Sequence, residues 1–290
     1  MIYIFLNGGI DMDLSLLQSL FLGLLSGIAE VIPVSAQAHR LLLLKMFGAD
    51  GESPALRLMI HLATAFALYF SCRGHIIRML RANRLAHVPK KRRKRPLDAE
   101  GLSDFSLLKT TLIPVILAFA LYSRTAGLSR IPLAVVALLF INGIILYIPQ
   151  YLPGSNKNSS AMTRVDGLLL GLGGAAATLP GISCVGCAVS IASVRGMDLK
   201  KALNLALLMN VPVNLGLAAF DLIDLLSGGA GSLSLGALFG AILAGIAAFI
   251  GVILGIRALQ KISENVGYGI FGFYSWGIAL LSFIFFLAAV

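Results

Sequence analysis

The sequence predicts an all-α integral membrane protein with about six transmembrane helices and two re-entrant helix pairs in an inverted-topology repeat. Three observations predict it. The composition is one that lipid rather than water solvates, six apolar stretches reach spanning length, and two further apolar stretches are interrupted midway by proline and polar residues.

Of 290 residues, 58% are hydrophobic and 12% charged, and the mean hydropathy is +0.91. A soluble domain needs a more polar shell than that. In hydrocarbon every backbone N–H and C=O must pair internally, and the long apolar runs lack the alternating polarity of barrel strands, so they are expected to be helices. Residues 1–13 are apolar but short, without the basic start or small-residue cleavage site of a signal peptide, and read as part of the mature chain. Cys72, Cys184 and Cys187 are three in number, two of them within an apolar segment, which implies no disulfide framework.

The formal charge of +10 has a local origin. The stretch 73–95 holds ten Lys or Arg residues and no acid. Beside a membrane segment such a run marks a cytoplasmic loop that contacts anionic lipid headgroups, in preference to nucleic acid.

Stretches 56–72, 107–122, 131–148, 202–226, 235–256 and 268–290 are the expected spans. Stretches 14–48 and 165–196 carry Pro33, Ser35 and His39, and Pro180, Ser183 and Gly186, at their middles. Proline stops a helix and removes a donor, so at membrane depth it is tolerated where the freed backbone lines a cavity or is covered by protein. Placing 73–95 in the cytoplasm makes the first broken segment enter from outside and the second from inside. Arg164, Arg195, Lys200, Lys201, Arg257 and Lys261 then also fall inside, with Arg124 and Arg130 the exceptions. One membrane domain, 1–290, is expected, with repeat one over about 13–148, including a basic loop 73–106, and repeat two over about 165–290.

The segment Gly27-Ile-Ala-Glu-Val-Ile-Pro-Val-Ser-Ala-Gln-Ala-His39 resembles the first motif of the bacterial undecaprenyl-diphosphate phosphatases of the bacitracin-resistance type. Leu179-Pro-Gly-Ile-Ser-Cys-Val-Gly186 resembles their second motif. The likeness continues through Leu58-Met-Ile-His-Leu-Ala63, Ala202 to Gly216 and the glycine-spaced C-terminal helices. It implies a multi-pass protein of the bacterial inner membrane whose site, open to the outer face, removes a phosphate from a polyprenyl diphosphate for carrier-lipid recycling in cell-envelope synthesis. A homodimer is left open.

On that resemblance the candidate catalytic residues are Glu30, His39 and Ser183. Glu30 lies in an apolar helix, where a carboxylate is costly and serves as a ligand for Mg²⁺ or Ca²⁺ or as an acid or base. A neutral Glu bonded to a neighbouring helix is the plainer alternative. His39 is a general base or proton donor, or else a satisfied interfacial histidine. Ser183 is a nucleophile or phosphate ligand, and Ser35, Gly181 and Gly186 are phosphate-binding candidates at the helix breaks; helix capping is the competing role of both serines.

The chain also departs from the family pattern. Ser26 stands where an acid or amide is expected, Cys184 where the family has Arg, Val185 where it has Ser and Ala188 where it has Thr. The lost cation matters most, because neutralising a diphosphate in a low-dielectric cleft is much of what phosphoryl transfer requires. Arg40 is a replacement guanidinium or a snorkelling interfacial residue. Cys184-Val-Gly-Cys187 is a lone C-x-x-C without metal or redox context, and Asn210 and Asn214 are headgroup ligands or interhelical glue. The departures leave a second reading, a non-hydrolytic relative that binds or flips polyprenyl phosphate.

Overall fold

A computed structural model of the chain describes residues 14–49, 51–151, 157–228 and 234–288. The stretch 1–13, Asp50 and the last two residues of the expected span 268–290 lie outside them. In chain order the helices are α1 (Leu16–Val31), α2 (Ala36–Met46), α3 (Pro54–Ala86), α4 (Ala99–Ala120), the single turn α5 (Tyr122–Thr125), α6 (Pro132–Tyr147), α7 (Arg164–Ala175), α8 (Cys184–Val194), α9 (Leu199–Gly228), α10 (Leu235–Asn265) and α11 (Ile270–Ala288).

Six of these, α3, α4, α6, α9, α10 and α11, are long and apolar enough to cross a membrane, so the protein is an all-α, multi-pass membrane protein. Several run further than their apolar cores. The 33 residues of α3 span about 50 Å, against about 30 Å of hydrocarbon, so the helix carries Arg73, Arg78, Arg81 and Arg84 beyond the apolar layer. Much of the expected basic loop is therefore helix, and α4 begins at Ala99, ahead of the expected 107.

The two broken segments fold as helix pairs, α1–α2 and α7–α8, and the first helix of each starts with the same device. Ser15 and Gln18 form a capping box at α1, and Thr163 and Asp166 form one at α7. Pro33 and Pro180 follow the ends of the first helices, where chain reversal needs no helical donor.

Lipid removes the hydrophobic drive between helices, so close packing of small residues has to hold them together. A methyl group at Gly27 would lie 2.1 Å from the Ala248 carbonyl oxygen, so α1 lies backbone to backbone on α10. At Gly171 a methyl would lie 2.4 Å from the Thr111 carbonyl oxygen, which seats α7 on α4 in the same manner. The central contact is between α3 and α9, and α6 packs on α11. Exchanging α1 with α7, α3 with α9, α4 with α10 and α6 with α11 maps these pairings onto themselves. Large apolar side chains such as Phe66, Phe70, Ile116, Leu117 and Ile250 are left exposed toward the lipid.

Candidate active site

The turns of the two broken segments meet, and polar side chains from the surrounding helices fasten them together. Asn142 of α6 is fully buried; its Oδ1 accepts from the Ser183 amide at 2.9 Å, and its Nδ2 donates to Ser275 Oγ at 3.0 Å and to the Pro33 carbonyl at 3.4 Å. The Gly181 amide donates to Ser35 Oγ at 3.1 Å. Both loops are thus held to each other and to α6.

Beside this junction lies a narrow cleft, lined by Glu30, Ala36, Gln37, Arg40, Arg57, His61, Tyr122, Ser183, Cys184 and apolar residues of α1, α9 and the α7–α8 turn. Ion pairs bind its walls. Arg40, 3% exposed, donates from Nε to Glu52 Oε1 at 2.8 Å and sets its Nη1 4.0 Å from Glu30 Oε2. That Nη1 is buried with no hydrogen-bond partner. Glu30 is steadied from α9, where Asn214 Nδ2 donates to Oε1 at 3.2 Å and Asn210 Nδ2 to the main-chain carbonyl at 3.3 Å. Arg57 donates to Asp221 Oδ1 at 2.7 Å, to the Glu52 carbonyl at 3.1 Å and to Asp224. His61 shares the other oxygen of Asp221, with Nδ1 to Oδ2 at 2.6 Å.

The candidates named from the sequence divide into two groups. Glu30, Arg40 and Ser183 line the cleft. Ser183 Oγ accepts from the Gly186 amide at 3.1 Å as the cap of α8, which leaves its O–H free to donate. Ser35, His39, Gly181 and Gly186 stand outside the lining. Ser35 takes φ 63° and spends its hydroxyl on Gly181, while a methyl at Gly186 would meet Leu146 Cδ2 at 2.6 Å and Pro33 Cβ at 2.8 Å. His39 has both ring nitrogens engaged, with the Ser35 carbonyl at 2.8 Å and Tyr274 Oη at 2.9 Å, and its ring stacks on that tyrosine.

Arg57, His61, Gln37, Tyr122 and the supporting Glu52, Asp221 and Asn142 are additions that the sequence reading did not assign. A signal existed for two of them. Arg57 and His61 are ionisable residues four positions apart at the start of an apolar helix, hence on one face. Cys184 does line the cleft, so no cation stands where the resemblance expects one. All three cysteines are free thiols.

The family model described as bacitracin resistance protein BacA matches residues 19–281. The chain belongs to the BacA family. Relatives of this BacA-family chain include undecaprenyl-diphosphatase 1 of Shouchella clausii, 26% identical over 94% of this chain and 97% of the relative. Undecaprenyl-diphosphatase of Methanobrevibacter smithii is 26% identical over 93% of this chain and 98% of its own, and that of a Nocardioides species is 30% identical over 73% and 76%. The match runs through both broken segments, so the BacA family's fold extends over the whole cleft described above.

Proposed function

We propose that this chain is a membrane phosphatase that hydrolyses undecaprenyl diphosphate to the monophosphate and inorganic phosphate, returning the carrier lipid to cell-envelope synthesis. Its BacA-family membership and its undecaprenyl-diphosphatase relatives support the reaction class. One observation carries the reading to this site. Arg40 Nη1 is a guanidinium nitrogen buried at the cleft, 4.0 Å from Glu30 Oε2 and without a hydrogen-bond partner, a donor kept ready for an anion that enters. Arg40 thereby takes up the charge that Cys184 does not supply.

Ser183, its oxygen fixed as the α8 cap, donates its O–H to a phosphate oxygen. Glu30 is the one carboxylate among the described residues that line the cleft, and among those residues no three His, Cys, Asp or Glu side chains gather into a metal-ligating group. A hard divalent cation such as Mg²⁺ or Ca²⁺, held by one carboxylate and by the substrate's own phosphate oxygens, suits so sparse a donor set. When bound it neutralises charge on the diphosphate. Ser35, Gly181 and Gly186 hold the shape of the phosphate-binding turns.

The cleft takes its walls from the start of α3, the turn after α4 and the second half of α9, away from the helix ends that carry the basic stretch 73–95. With that stretch cytoplasmic, the site opens to the outer face. Phosphate release from undecaprenyl or farnesyl diphosphate by the purified protein, with Mg²⁺, Ca²⁺ or a chelator, tests the reading. Release is expected with a divalent ion; none under any condition would overturn it and leave lipid translocation to be measured.

A further inference from the structure

We propose that His61, oriented by Asp221, is the proton-transfer residue of this cleft, with Asp221 and Arg57 as its positioning residues. The proposal rests on the hydrolase reading above.

Arg57 and His61 leave one face of α3, and both line the cleft. Asp221 reaches them from α9 and is 1% exposed. One of its oxygens accepts from Arg57 Nε and the other faces His61 Nδ1 at 2.6 Å. A carboxylate on Nδ1 fixes the proton there and leaves the lone pair on Nε2. Nε2 has no hydrogen-bond partner among the described residues, in a side chain that borders the cleft. A buried imidazole with one nitrogen tied to a carboxylate and the other open to a substrate cavity has the arrangement of an activated general base.

His39 lacks that arrangement, since its two nitrogens already serve the Ser35 carbonyl and Tyr274. The charged and titratable groups that share the cleft or its ion pairs with His61 are Asp221 and Asp224 of α9, Arg57 of α3, Glu52 just ahead of α3, and Arg40, Glu30, Tyr122 and Cys184 of the lining. Each of the three guanidinium nitrogens of Arg57 donates a hydrogen bond, Nη1 to the Glu52 carbonyl, and the Glu52 side chain also carries Arg40. The anion donor and the base are therefore set by one connected frame.

In the step proposed, Nε2 accepts a proton from water as the water oxygen bonds to the terminal phosphorus. The bond from that phosphorus to the bridging oxygen breaks, and the bridging oxygen leaves with its electron pair on the lipid monophosphate. The proton then passes from the ring to solvent, and inorganic phosphate departs.

The test is phosphate release across pH by the unaltered protein, H61Q, H61A and D221N, with and without added imidazole. H61Q is expected to lower kcat by about 10²–10⁴-fold with little change in KM and to abolish the fall in rate at acid pH. D221N should lower kcat while keeping that fall, and imidazole should restore part of the H61A rate, as no packing role would allow. Wild-type kcat and an intact acid limb in H61Q would overturn the role of His61 alone. So would a monodisperse, inactive H61A that imidazole does not rescue. An unaltered protein that releases no phosphate would overturn the hydrolase reading, and this role with it.

Discussion

The Gly181 amide donates to the Ser35 hydroxyl across 3.1 Å, joining two loops that lie 146 residues apart in the chain. Ser35 makes that bond from φ 63°, a left-handed backbone that side-chain-bearing residues rarely adopt. Strain in one turn is offset by a bond to the other.

Ser35→Ala keeps the strained backbone and leaves the Gly181 N–H without its acceptor in a buried place. A loss of about 1–3 kcal/mol is expected, read by denaturation in detergent. Ser35→Gly loses the same bond but relieves the backbone, so it should cost less. Equal losses in the two variants would remove the strain from the account.

Arg40→Lys preserves charge but shortens the set of donors from a planar fork to a point. With Glu52 still compensated, folding should persist while phosphate release drops by about 10²-fold, in line with the loss of one oriented donor to a developing anion. Release at the unaltered rate would show that Nη1 does not meet the substrate.

Glu30→Gln keeps an oxygen for Asn214 Nδ2 to donate to and removes only the charge. Thermal stability should change little, whereas stimulation by Mg²⁺ or Ca²⁺ should vanish and release should fall by about 10²-fold or more. A variant that still responds to the ion would place the cation elsewhere.

Gly27→Ala sets a methyl against the backbone of α10, where no side chain can turn aside. A penalty of about 1–3 kcal/mol is expected from the forced separation of α1 and α10. Gly127→Ala, which meets nothing within 4 Å, is the control that should leave the melting temperature unchanged.

On the basic face, the Arg78 guanidinium, helped by the Gly101 amide, holds the Asp98 carboxyl at about 2 against an ordinary 3.8. A carboxyl lowered on folding stabilises the fold above its ordinary value, and that contribution disappears as pH falls through about 2. The melting temperature should therefore drop between about pH 4 and about pH 2 by more in the unaltered protein than in Asp98→Asn, which keeps the α4 cap. The pair is half-exposed, so added salt should shrink the difference.

Much of the architecture was legible before any coordinates. Glycine, proline and apolar runs located the six long helices and the two broken segments, because lipid forces unpaired backbone into helix and allows breaks only where protein covers them. Span ends were less legible: hydropathy stops where apolar residues stop, while helical hydrogen bonds carry α3 on through four arginines.

The broken segments, Glu30 and Arg40, together with the absence of a cation at Cys184, were determined by the sequence alone, since each is a local fact of residue type and spacing. Which side chains converge was decided by tertiary structure. His39 and His61 are both histidines near apolar motifs, and linear spacing favours the first. Packing of α9 on α3 brings Asp221 to His61, and packing of α11 against the core brings Tyr274 to His39. One ring gains a carboxylate and an open nitrogen, while the other is bonded at both. Hydrogen-bond partners drawn from helices more than a hundred residues away carry no signature in the local sequence, and they distinguish the surroundings of the two rings.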